Sequence, residues 1–203
     1  KCIFCPNDIR MPKSYLSDEP GAQRAERNQF DPYLQAFNRL QAFKNIGHEV
    51  DKVEIIILGG TWSFYPENYQ IWFIKRIFDA LNDFGVGRDD TQRLEEVYQK
   101  KNETLKVDSR TRNDKVSEKI IHGEKLEKSY NQVINELYTA PDKLMKLDAD
   151  QTATREELEV AHKENETTLV RCVGLVIETR PDNISQAEVL RIRRLGCTKT
   201  QIG

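Results

Sequence analysis

The chain has 203 residues, enough for one sizeable core. Apolar residues make up 38% and charged residues 32%, so part of it is more polar than an ordinary domain, in which roughly 45–50% of residues are apolar. A formal net charge of −2 excludes a uniformly basic nucleic-acid binder but leaves room for a local basic surface.

Apolar runs such as Ile55–Leu58 are strand-sized, well short of the roughly 20 residues needed to span a bilayer. Cys2, Cys5 and Pro6 arrive before a signal-peptide core could form. The expectation is a cytoplasmic protein with no membrane partner. Both ends read as cuts through structure, so the chain is expected to be a piece of a longer protein.

Residues 1–30 read as a loop, with Pro6, Pro12, Pro20 and Gly21 and no sustained period. Asp31-Pro32 then signals a helix start, carboxylate at the cap and proline at the first helical position. Tyr33, Phe37, Leu40, Phe43 and Ile46 follow at helical spacing, and Gly47 is the stop. Val53–Leu58 is β-branched and almost wholly apolar, the pattern of a strand buried on both faces. A second helix is expected from Pro66-Glu67, striped by Tyr69, Phe73, Ile77, Leu81 and Phe84 and capped by Gly85. Val173–Glu178 reads as another buried strand. Ser185 and Glu188 form a capping-box pattern for a third helix that Gly196 closes, and Thr198–Ile202 begins a further strand.

Alternating helices and strands imply a parallel sheet, with functional groups at the carboxyl ends of its strands. Those ends are Gly59-Gly60-Thr61, Glu178-Thr179-Arg180 and Gln201-Ile202-Gly203. Residues 88–168 interrupt the alternation. They are rich in charge, contain only Gly123 as glycine, and carry helical stripes such as Leu94, Val97, Tyr98 and later Leu126, Tyr130 and Val133. Thr154 with Glu157 offers another capping box. A structureless loop of that length is improbable in a compact body, so a mostly helical insertion is expected, with a solvated spacer as the alternative.

Cys2 and Cys5 form a C-x2-C pair, which suits a metal centre or a redox disulfide. A zinc site wants a second ligand pair, and His48, His122 and His162 stand alone. A thioredoxin-like pair follows a strand and opens a helix, whereas a proline-containing loop follows Cys5. An iron–sulfur cluster with a further ligand upstream remains. Cys172 and Cys197 read as small buried hydrophobes.

The blocks Lys1–Pro6, Glu19-Pro20, Arg24-Ala25, Asp31–Ala36, Gly47–Glu54 and Gly59–Thr61 closely resemble the Elongator catalytic-subunit family. The likeness resumes in Cys172–Gly174, Ile177–Asp182, Gly196–Thr198 and Ile202-Gly203. It implies part of a (β/α) barrel of the radical S-adenosylmethionine type, truncated at both ends: residues 1–87 the first part with the cluster loop, 88–168 the insertion, 169–203 the continuation. It implies that Cys2 and Cys5 match two of three cysteines holding a 4Fe–4S cluster, and that Phe4 lies near the adenine of S-adenosylmethionine. Gly59, Gly60 and Thr61 stand where related enzymes contact the methionyl amino group by backbone; the threonine is the form expected in the Elongator branch. Glu178 and Arg180 match positions for the methionine moiety, an internal ion pair being their competing role, and Gln201 matches one for the ribose. Lys13, Arg24 and Arg27 form a modest basic group suited to RNA phosphates. The resemblance further implies a transferase acting on carbon 5 of the wobble uridine of tRNA, with acetyl-CoA as co-substrate and Elongator-like subunits or a second copy as partners. It also implies that this stretch alone is inactive. Two other readings share some of these residues: a different radical enzyme, such as a porphyrinogen-oxidising relative, and a zinc-binding interaction module.

Overall fold

The computed structural model describes residues 19–58, 62–100 and 151–202. The first element is helix α1, Pro20–Arg27, with proline in its first turn. It lies inside the stretch read as a loop, and it buries no residue, so it carries no apolar stripe for a reader to detect. Helix α2, Pro32–Asn45, starts as expected: the Asp31 carboxylate accepts the Leu34 amide at 2.9 Å. Gly47 follows it at φ +86°, a backbone that glycine adopts without penalty.

Strand β1, Lys52–Ile57, is followed by a short 3₁₀ turn at Trp62–Phe64 and by α3, Glu67–Val86. The cap of α3 is Gly87, left-handed at φ +73°, rather than Gly85. Gly85 has a packing role instead: a Cβ there would sit 2.2 Å from Thr168 Oγ1 and 3.2 Å from two backbone nitrogens. Helix α4 occupies 91–100 of the described chain, and α5 spans Arg155–Asn165 with both halves of the Thr154–Glu157 capping box formed. Strand β2, Arg171–Thr179, helix α6, Gln186–Arg194, and strand β3, Lys199–Ile202, complete the described elements. Ser185 caps α6, but the Glu188 carboxylate turns inward to pair with Arg191, so that capping box is half made.

The architecture is mixed α/β. Its three strands run parallel in the order β1-β2-β3. Register partners share a face, so Ile55 and Ile57 join Leu175 and Ile177 on one side. That side meets α3, α5 and α6 through Ile74, Ile77, Phe78, Leu158, Ala161, Ile192 and Leu195. The other side carries Glu54 and Ile56 on β1 and Leu58 just after it, and Ile56 and Leu58 are 47% and 50% exposed. The expectation of a strand buried on both faces is therefore corrected: helices cover one face of β1.

Helix α5 falls within the stretch read as a projecting insertion, yet it packs on α3 and places Leu158 and Ala161 in the main core. Two buried amides fix it there. Asn82 on α3 donates to the Ala161 carbonyl at 3.0 Å, and Asn165 donates to Asn82 Oδ1 at 2.7 Å and to the Val170 carbonyl at 3.0 Å. Asn165 Oδ1 in turn accepts the Cys172 amide at 2.8 Å, so α3, α5 and β2 meet at one point. Helix α4 is anchored too, through Leu94 beside Tyr33, Phe37 and Phe84, and through Tyr98, whose hydroxyl donates to Asp31 Oδ2 at 2.7 Å.

Candidate functional site at the carboxyl edge of the sheet

Parallel strands bring their carboxyl ends to one edge, and three sequence-predicted residues lie there. Glu178 and Gln201 are direct register partners across β2 and β3, so they project from the same face as Ile56 and Leu58. Glu178 is half-buried and Gln201 exposed. Arg180 follows β2 in extended backbone and opens the 3₁₀ turn at Pro181–Asn183. Its guanidinium reaches Asp182 at 2.5 Å, and with side-chain exposures of 42% and 56% this is a surface pair. Such a pair adds little stability and leaves the guanidinium accessible to an anionic ligand.

One carboxylate, one guanidinium and one amide at a single strand edge suit the ammonium and carboxylate of an amino-acid zwitterion and a hydroxyl beside it. Cys2, Phe4, Cys5, Lys13, Gly59, Gly60 and Thr61 lie outside the described residues. Among the described residues, no group of three His, Cys, Asp or Glu side chains is placed to hold a metal ion.

Behind the edge lies a support that sequence reading missed. Ser63 Oγ and Thr179 Oγ1 are hydrogen-bonded at 2.9 Å, tying the turn after β1 to the end of β2. Arg191 on α6 donates to the Ser63 carbonyl at 3.3 Å while paired with buried Glu188. Gln70, fully buried on α3, donates to the carbonyls of Trp62 and Tyr65, each at 3.0 Å. The turn is thus held from three elements. The signal for Gln70 and Thr179 was a lone polar residue in an apolar pattern.

Helix α1 approaches the same edge: a Cβ added to Gly21 would lie 3.9 Å from Leu58 Cδ1. Arg24 and Arg27, in its last turn, are exposed. The remaining cysteines are free thiols, Cys197 buried and Cys172 partly so, and burial pushes the Cys172 thiol above its ordinary range. Both donate to backbone carbonyls, of Lys199 and Gly174, as small core residues do.

A mixed α/β protein with its candidate groups at the carboxyl edge of a parallel sheet is the class that this geometry defines. No protein-family model matches the chain. The tRNA uridine(34) acetyltransferases of Methanocaldococcus infernus and Methanocaldococcus jannaschii are each 31% identical to it over 208 residues, covering 100% of this chain and 26% of theirs. Elongator complex protein 3 of Homo sapiens is 27% identical over 207 residues, covering 100% of this chain and 25% of that protein. Among solved structures, archaeal Methanocaldococcus infernus Elp3 with an N-terminal deletion (1–46) overlays 86% of this chain and 25% of its own, at 30% identity and a TM-score of 0.49. Over its whole length the chain belongs with the family of tRNA uridine(34) acetyltransferases and Elongator catalytic subunits. It spans about a quarter of the length of the curated relatives it matches. Their alignment takes in residues 88–168 as well.

Proposed function

We propose that this chain is part of an enzyme that modifies carbon 5 of the wobble uridine of tRNA, with acetyl-CoA as co-substrate. The observation that carries the reading is alignment of all of its residues with proteins named tRNA uridine(34) acetyltransferase. Cys2 and Cys5 would be the cluster ligands that this segment contributes, and Phe4 is assigned to the adenine. Glu178 would bind the methionyl ammonium, Arg180 the carboxylate and Gln201 a ribose hydroxyl, with Gly59, Gly60 and Thr61 assigned the backbone contact to the methionyl amino group. When bound, the 4Fe–4S cluster and S-adenosylmethionine supply one-electron chemistry for abstracting a hydrogen atom. The chain's own contribution is to orient those groups. Ser63, Thr179 and Gln70 hold the turn beside them, and the sheet's helix-covered side excludes water from behind.

Lys13, Arg24 and Arg27 face the RNA, and Elongator-like subunits or a second copy of the chain assemble with the enzyme in the cytoplasm. No helix among the described residues is long and apolar enough to cross a membrane. The proposed reaction is that of the whole enzyme, 26% of which this chain covers in the Methanocaldococcus infernus relative.

The test is a segment exchange. Replacing the aligned segment of the Methanocaldococcus infernus enzyme with this chain is expected to preserve the C5-modified wobble nucleoside, read by mass spectrometry of digested tRNA. In the same chimera Glu178→Gln and Arg180→Gln should each weaken S-adenosylmethionine binding about tenfold or more, the scale of a charge-assisted hydrogen bond. A chimera that folds and binds S-adenosylmethionine but leaves uridine unmodified would sink the reading of substrate. Unchanged affinity in both variants would remove them from the cofactor site.

A further inference from the structure

The turn between α1 and α2 is held in a conformation that its residues disfavour. Gln29 and Phe30 both have positive φ, 55° and 56°. That region suits glycine, and a bulky side chain in it is an outlier that the surroundings must impose. Here they do so from both helices. The Phe30 amide donates to the Ala25 carbonyl at 2.7 Å and the Gln29 amide to the Glu26 carbonyl at 3.0 Å, the paired closure of a Schellman motif. The Asn28 side chain donates to the Arg24 carbonyl at 2.7 Å and accepts from Asn38 of α2 at 2.8 Å.

In such a motif the hydrophobic residue at Phe30's place packs back on the helix. Phe30 is instead 63% exposed. Its chain neighbours Arg27, Asn28, Gln29 and Asp31 are polar. Arg24 and Arg27, six and three residues before it, are exposed, and neither enters an ion pair among the described residues; Glu26 is the acidic residue between them. An exposed ring that closes a helix carrying two exposed arginines is an arrangement that can take an unpaired base: the ring stacks on its face and the arginines meet adjacent phosphates. The turn stands about 12 Å, one length of α1, from the carboxyl edge of β1.

We propose that Phe30 is a stacking contact for an unpaired base of RNA, with Arg24 and Arg27 on the neighbouring phosphates. The inference rests on the reading of RNA as substrate and assigns it a residue that the basic group alone does not include.

Conformational preference and binding should move in opposite directions, which makes the test specific. In the full chain, Phe30→Gly relieves the left-handed strain, so its melting temperature is expected to hold or rise. Its affinity for an anticodon stem–loop RNA, followed by fluorescence anisotropy, should fall about tenfold. Phe30→Trp should restore binding. Affinity for a fully paired RNA duplex should be the same in all three proteins, whereas Arg24→Gln with Arg27→Gln should weaken both RNAs. Unchanged stem–loop affinity in Phe30→Gly overturns the stacking contact while RNA recognition stands. Equal losses for stem–loop and duplex overturn it as well, as does altered self-association with intact RNA binding, which assigns the ring to a protein interface. Wild-type chain that binds neither RNA overturns RNA recognition by this segment itself.

Discussion

Asp31 serves two helices with one carboxylate. Its Oδ1 caps α2 at the Leu34 amide and its Oδ2 accepts the Tyr98 hydroxyl of α4, all at 2% exposure. Arg76 lies 3.8 Å away and also sits over the Tyr33 ring at 4.5 Å. Burial together with Asp83, whose carboxylate the Tyr33 hydroxyl contacts at 3.0 Å, pushes that phenol well above its ordinary range. Asp31→Ala removes a cap and a hydrogen bond together and is expected to cost about 2 kcal/mol, read from the urea midpoint. His162 behaves differently. Its ring lies 4.3 Å from that of Phe78, a Cβ on Gly196 would come within 3.0 Å of it, and Nε2 is buried without a partner. Burial lowers its pKa against the opposing pull of Glu159. The folded state therefore binds fewer protons than the unfolded chain, so stability is complete above about pH 6.5 and declines as the pH falls below it. Urea midpoints measured from about pH 8 to about pH 5 should show that slope. A His162→Leu variant should lose the part due to this residue.

At the scale of elements, α3 is the member on which most of the others depend. Asn165→Leu leaves Asn82 Oδ1, the Val170 carbonyl and the Cys172 amide without their partner, and should destabilise by on the order of 3 kcal/mol. Hydrogen exchange should localise the loss to α5 and the start of β2. The two glycines at the end of α3 separate conformation from packing. Gly87→Ala costs about 1 kcal/mol through its left-handed backbone, with nothing within 4 Å of the new methyl. Gly85→Ala costs more, because backbone at 3.2 Å must move. This is where sequence reading slipped: an apolar stripe ending at Gly85 looks capped there, since spacing registers a glycine but not its reason. Helices α2 and α6 were legible because stripes and caps agree in them, and α3 because its stripe is long. Helix α1 was not, because it buries nothing.

For the molecule as a whole, the parallel order and the carboxyl-edge position of Glu178 and Gln201 followed from alternating elements and from strand ends. The one-sided cover of β1 did not follow, since a continuous apolar run is the same whether its second face meets helices or something else. The polar supports Gln70, Asn82 and Asn165 were equally hidden, because a lone amide in a helical pattern resembles any surface residue until its carbonyl partners are known. If the Arg24–Arg27 surface tracks phosphates, the logarithm of RNA affinity should fall linearly with the logarithm of salt concentration. A flat response would remove phosphates from the account.

The double anchoring of the charged stretch has a consequence for engineering. Helix α4 is held by Tyr98 and Leu94, and α5 by the Asn82–Asn165 amides and its own core residues, so neither root relies on the other. A change confined to one root is therefore expected to leave the other in place. Hydrogen exchange should then report Tyr98→Phe at α4 and Asn165→Leu at α5 as separate, local losses. The two ends of the charged stretch can then be altered one at a time without disturbing the carboxyl edge of the sheet.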